Sequence, residues 1–279
     1  MSPERKLVAR ELLAFYLEAG VDAALGETAI DRFADPTEAA PRLPIVQSAE
    51  EAPREPSPAP DRFRPAATVT AAPAPVSPDG AVMAAREEAK SAKSLDELKS
   101  ILSGFTGCPL RVTATQLVFA DGNPQARVMF VGEAPGRDED IAGLPFVGRS
   151  GQLLDRMMAA IGLTRANAYI ANIVPWRPPG NRTPTPQESA ICLPFVLRQI
   201  ELVDPDVLVC LGGPSAQTLL AIREGILRTR GRWFPFQTGT REIRATATLH
   251  PAYLLRQPLQ KRLAWRDFLA IKKALAPPP

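Results

Sequence analysis

Histidine, cysteine and long apolar runs are the scarce features of this 279-residue chain, which has one histidine and three cysteines. No apolar stretch approaches the roughly 18 residues of a membrane span. Met1 to Leu13 scatter charges where a secretory signal would be uninterruptedly apolar. The expectation is a cytoplasmic protein with no membrane partner. An odd number of cysteines at irregular spacing argues against a disulfide framework and fits a reducing compartment, leaving the thiols to packing or metal ligation. Net charge is also low, +3, but it is unevenly placed. Residues 1–94 hold 11 Lys/Arg against 15 Asp/Glu, a net −4, and residues 95–279 hold 22 against 15, a net +7. The basic later region suits a polyanion, because Lys and Arg on phosphates release counterions.

What is present divides the chain into three. In residues 1–34, Glu4 to Gly20 reads as a short amphipathic helix, with Leu7, Leu12, Leu13, Tyr16 and Leu17 at helical spacing. Such a face can dock a partner, which the sequence does not name. Residues 35–80 are crowded with proline and alanine, which predicts a disordered linker too poor in large apolar residues to build a core. Residues 81–279 are expected to form the functional domain, a monomer. There a helical pattern over Ala81–Leu102 gives way to alternating strands (Ala126–Val131, Ala168–Val174, Asp206–Leu211, Glu242–Leu249) and helices (Gly151–Leu163, onward from Thr185, Ser215–Ile222, Leu259–Ala274). Thr185-Pro186-Gln187-Glu188 is a capping box with proline at the first helical position. The alternation predicts an α/β fold, an open, mostly parallel sheet with helices on both faces. Ligands of such sheets bind beyond the carboxyl ends of the strands.

The unusual residues fall at those ends. Gly132-Glu133-Ala134-Pro135-Gly136 follows the first strong strand, and its glycines let the backbone come close to a polar ligand. Its spacing is not that of a dinucleotide fingerprint. Asn172 ends the second strand, ahead of Arg177-Pro178-Pro179-Gly180-Asn181-Arg182. Its carboxamide offers an acceptor and donors that suit a base edge, or equally cap a turn. His250, the sole histidine, opens His250-Pro251-Ala252-Tyr253-Leu254-Leu255-Arg256 at the end of the last strand.

Together with Pro145-Phe146-Val147-Gly148, these segments resemble the type 4 uracil-DNA glycosylases, in order, from about Leu95 to Leu275. The resemblance implies a uracil-DNA glycosylase-like fold, DNA containing uracil as partner, and hydrolysis of the bond between uracil and deoxyribose after the base is flipped out. It implies that Gly132, Phe146 and Asn172 receive the base, Phe146 by stacking and Asn172 by pairing with N3 and O4. Glu133 would orient water or stabilise the sugar cation, and His250 would donate to O2. Glu139 would crowd C5 and exclude thymine, unless it is a solvated acidic turn with Asp138 and Asp140. Leu254 and Leu255 would be the apolar wedge. Arg177, Asn181, Arg182 and Arg256, with Lys261 and Arg262, would hold phosphates, unless they are ordinary surface residues.

The sequence departs from this family at one feature. The resemblance implies a four-iron four-sulfur cluster on four cysteines; Cys108 and Cys192 match two positions, while Phe105 and Trp176 stand at the others. The fold and the chemistry are therefore expected, and the cofactor is not. A non-catalytic DNA-binding protein on the same fold is the alternative. A relative that traps DNA on a histidine is disfavoured because Val174–Gln187 contains none, and a nucleotide hydrolase because no Walker loop is present.

Overall fold

Proline at position 78 opens the part of the chain that the computed structural model describes, residues 78–276. The expected helix at Glu4–Gly20 and nearly all of the linker lie outside these residues. Helix α1 (Pro78–Ser91) starts within the span assigned to the linker, because a proline at the first helical position gives up only an amide that would have no helical partner. The continuous pattern over Ala81–Leu102 is two helices, not one. Ser94 caps α2 (Leu95–Gly104) with its hydroxyl accepting from Glu97 N at 3.2 Å, and Glu97 accepts from Lys93 N at 2.7 Å. Local side-chain bonds of this kind compete with helix continuation.

A short helix α3 (Leu110–Thr113) leads to the sheet. Its strands are β1 (Ala120–Gly122), β2 (Val128–Gly132), β3 (Tyr169–Asn172), β4 (Val207–Leu211), β5 (Trp233–Gln237) and β6 (Glu242–Thr248), in the order β1-β3-β2-β4-β6-β5. The four central strands are parallel, while β1 and β5 close the two edges antiparallel. β2 and β4 are buried at every residue, as strands covered on both faces must be. Alternation then sorts their side chains. Met129, Val131, Leu208 and Cys210 join one core with residues of α1 and α2 and with α6 (Pro186–Val203). Val128, Phe130, Val207 and Val209 join a second core with α5 (Arg149–Ala159) and α10 (Lys261–Leu275), where Phe130 stacks on Phe268 at 6.0 Å.

The Thr185 box opens α6 as expected, with its hydroxyl accepting from Glu188 N and Glu188 accepting from Thr185 N. From β2 the chain crosses to β3 on one side and later to β4 on the other, so the connections leaving the carboxyl ends of β2 and β4 run to opposite sides and open a crevice there. Around it stand four short helices: α4 (Arg137–Ala142), α7 (Gly213–Leu220), α8 (Ile226–Thr229) and α9 (Pro251–Arg256). No helix among the described residues is long and apolar enough to cross a membrane.

Candidate active site

A cavity of about 560 Å³ occupies the crevice. Each parallel strand contributes at its carboxyl end: Glu133 after β2, Asn172 from β3, Gly212 after β4 and His250 after β6. Phe146 and Arg256 complete the walls. Gly132 is buried beneath, and a β-carbon there would run into the Asn172 carboxamide and the Phe146 ring. Its lack of a side chain is what lets those two groups meet at the cavity floor.

Asn172 is 4% exposed, yet its Oδ1 accepts no hydrogen bond among the described residues, so this oxygen does not cap a turn. Glu133 Oε1 is likewise buried without a partner, and burial raises its carboxyl above the usual carboxylate range. His250 Nδ1 accepts from Ala252 N at 3.1 Å at the start of α9. An accepting Nδ1 carries no proton, so the neutral ring holds its proton on Nε2. Burial, helped by the charge of Arg256, holds the imidazole down to about 4, and at neutral pH it is an uncharged donor. Its ring lies against Phe146, centroids 5.5 Å apart.

Two expectations change here. Glu139 lines the cavity but is neither a solvated turn residue nor a free carboxylate facing a base. Its Oε1 accepts from Val147 N and Gly148 N at 3.1 and 3.0 Å and its Oε2 from Gly136 N at 3.1 Å, so it clasps the Phe146 loop. Leu254 is fully buried among Leu249 and Ala264 and is core rather than wedge, because the helical phase of α9 turns it inward; Leu255, 38% exposed, is the outward neighbour. Arg177 and Arg182 each have partners within the protein, and Arg182, which lines the cavity, keeps 43% of its side chain exposed. Arg177 Nε donates to Asn181 Oδ1 at 2.6 Å, and Arg182 pairs through two nitrogens with the buried Glu188 at 2.7 and 2.8 Å. Arg256 is exposed at the cavity rim. Ser150, Ile226 and Tyr253 also line the cavity without having been singled out in the sequence. Ile226 carries no signal that could have found it.

The cluster positions lie in the first of the two cores, away from the cavity lining. Cys108 and Cys192 are buried with their sulfurs 3.8 Å apart. Phe105 meets Phe195 edge-on at 5.0 Å, and Trp176 is buried in the same apolar cluster. A four-iron cluster asks for four thiolates. The third thiol, Cys210, lies in β4, and burial pushes it up to about 12, which keeps it protonated. These residues do not fit the cluster.

A family model described as the uracil DNA glycosylase superfamily matches residues 119–269. The chain is 39% identical over 183 residues to a type-4 uracil-DNA glycosylase of Archaeoglobus fulgidus, spanning 64% of this chain and 92% of that one. It is 44% identical over 166 residues to one of Thermotoga maritima, 58% and 85% of the two chains. A third, of Sulfurisphaera tokodaii, is 36% identical over 190 residues, 66% and 86%.

Proposed function

Because the chain belongs to the type-4 uracil-DNA glycosylases of the uracil DNA glycosylase superfamily, we propose that its crevice takes a uracil flipped out of DNA and hydrolyses the bond between N1 of the base and C1′ of the sugar. The observation that carries this reading is the pair of buried oxygens without a partner among the described residues, Asn172 Oδ1 and Glu133 Oε1, lining one cavity. A buried oxygen without a partner costs free energy unless a ligand satisfies it. N3–H of uracil answers Asn172, and the amide of the same side chain then faces O4. Cytosine presents an acceptor and an amino group at those positions and is refused. Phe146 gives the base a flat apolar face.

The reaction breaks C1′–N1 and adds water oxygen to C1′. Electrons of the broken bond move into the uracil ring and collect at O2, where His250 Nε2–H donates. The Glu133 carboxylate faces the sugar side, stabilising its positive charge and orienting the water, whose proton finally passes to the departing uracil anion. Arg256 and the net positive later region supply phosphate contacts. Residues 81–279, extended back to Pro78 by α1, form the catalytic unit in this reading. Incubation with an oligonucleotide holding one uracil, then alkali, tests it: a strand break at the uracil is expected, and an intact strand at enzyme excess and low salt overturns it.

The same reading holds that catalysis proceeds without iron. Phe105 and Trp176 put aromatic packing where two thiolates would stand, and packing of this kind stabilises a domain without metal. Purified anaerobically, the protein is expected to contain no stoichiometric iron and no visible thiolate-to-iron absorption, while folding and excising uracil. Iron at about four atoms per chain, the content of one such cluster, would show that other ligands had been recruited.

A further inference from the structure

Phe146 has a φ of 55°, in the left-handed region that a side chain with a β-carbon disfavours. A residue stays in such a conformation when its surroundings over-determine it, and these sites cluster where function needs a fixed geometry. Three features hold it. On the amide side, Glu139 binds the N–H groups of Val147 and Gly148. Behind it, a β-carbon on Gly151 would sit on the Phe146 carbonyl, so only glycine lets α5 approach this closely. On the carbonyl side stands Arg165, in the turn between α5 and β3. Its Nη2 donates to Phe146 O at 2.5 Å and its Nη1 to Pro145 O at 3.1 Å. The same guanidinium is held in turn by Asp121 of β1 through Nη1 at 2.5 Å and by Asp155 of α5 through Nε at 2.9 Å.

We propose, resting on the reading of the crevice as the uracil site, that Arg165 is a positioning residue for Phe146, fixing the plane on which the base stacks before the base arrives. Arg165 does not line the cavity, so it touches neither base nor reacting atoms. It acts through two carbonyls. A planar fork with five donors serves four acceptors on three segments at once; a lysine ammonium does not. Asp121 explains what the three-residue strand β1 adds to the site: it anchors the far side of the fork. A stacking face held in place beforehand spares the base the cost of ordering it, so affinity for the base depends on the clamp.

A double-mutant cycle in the full chain tests this with free uracil as one probe and an oligonucleotide carrying an abasic site as the other. Arg165→Met is expected to weaken inhibition by free uracil and to lower kcat/KM on uracil-containing DNA by about 10-fold each, within the range of couplings between residues that act as a unit. Affinity for abasic DNA should stay within about twofold of wild type, the additivity expected of sites without shared partners. In a Phe146→Ala background the same change should cost no further affinity for uracil. An equal further loss there, or a parallel fall in abasic-DNA binding, would overturn the proposal and make Arg165 a general structural residue. Should Arg165→Met melt below the assay temperature, the cycle is run with Asp155→Asn, which loosens the fork without removing it, under the same criteria. Arg165→Lys should recover little of the lost uracil affinity. Wild-type protein that excised no uracil would count against the functional reading itself, a failure seen in the control lane before any variant is compared.

Discussion

Replacing His250 by alanine should slow uracil excision by about 10²–10³-fold, the usual effect of deleting one preorganised donor to a developing oxyanion. The imidazole tautomer sets this effect. Ala252 N occupies Nδ1, so the Nε2 proton is the one available to the cavity. A neutral donor stabilises charge at O2 that grows only as C1′–N1 lengthens, so its loss should appear in the single-turnover rate. Affinity for uracil-containing DNA, followed by anisotropy under conditions too brief for turnover, should change by less than about threefold, since ground-state binding scarcely draws on such a donor. Equal losses in binding and rate would make His250 a cavity-wall residue, a role that its contact with the Phe146 ring would then have to explain.

Glu133→Gln should slow excision by about 10²–10⁴-fold, the span typical of a positioned acid–base group, and should also change the shape of the pH profile. Burial raises the Glu133 carboxyl above the usual carboxylate range, whereas His250 is held down to about 4. The active form needs Glu133 ionised and His250 neutral. As pH falls, Glu133 therefore takes up its proton first, and activity should decline while His250 is still uncharged. The sign follows from the two directions: a raised carboxyl loses its charge earlier on acidification, and a lowered imidazole gains one later. A kcat/KM profile measured down to pH 4 should show that acid limb in wild type and lack it in the residual activity of Glu133→Gln. A limb unchanged in the variant would assign it to another group.

The central strands were legible because burial on both faces writes itself as unbroken apolar runs, as in β2 and β4. The start of α6 was legible because the Thr185 box is a short-range chemical signature. Both edge strands were missed. β1 is only Ala-Asp-Gly, with no alternation to detect, and β5 carries Pro235, which argues against a strand when read locally. In the site, Glu133, Asn172 and His250 stood out because they sit where strands end. Leu254 was misplaced because the helical phase of α9 depends on its packing against Leu249 and Ala264. The pairing of Arg182 with Glu188 was not legible, because Glu188 stood out only as a capping residue. Arg165 escaped notice altogether, since its partners lie 10 to 44 residues away and no local pattern joins them.

The antiparallel strands at the two ends of the sheet also govern how the molecule behaves toward copies of itself. A free strand edge offers amides and carbonyls in register and can template another chain, the usual beginning of aggregation. Here β1 exposes an edge only three residues long. On β5, Thr238 N donates inward to Arg241 O, so counting back by twos turns Phe236 and Phe234 toward β6 and leaves Pro235 facing outward. The outward position in mid-strand thus has no amide hydrogen to offer. The guanidinium groups of Arg232 and Arg244 lie over the rings of Phe234 and Trp233, covering aromatic surface that would otherwise invite stacking between molecules. The sheet is thereby protected against growing by a seventh strand from a neighbour, and the residue that made β5 unreadable as a strand is the one that keeps its edge closed to other chains.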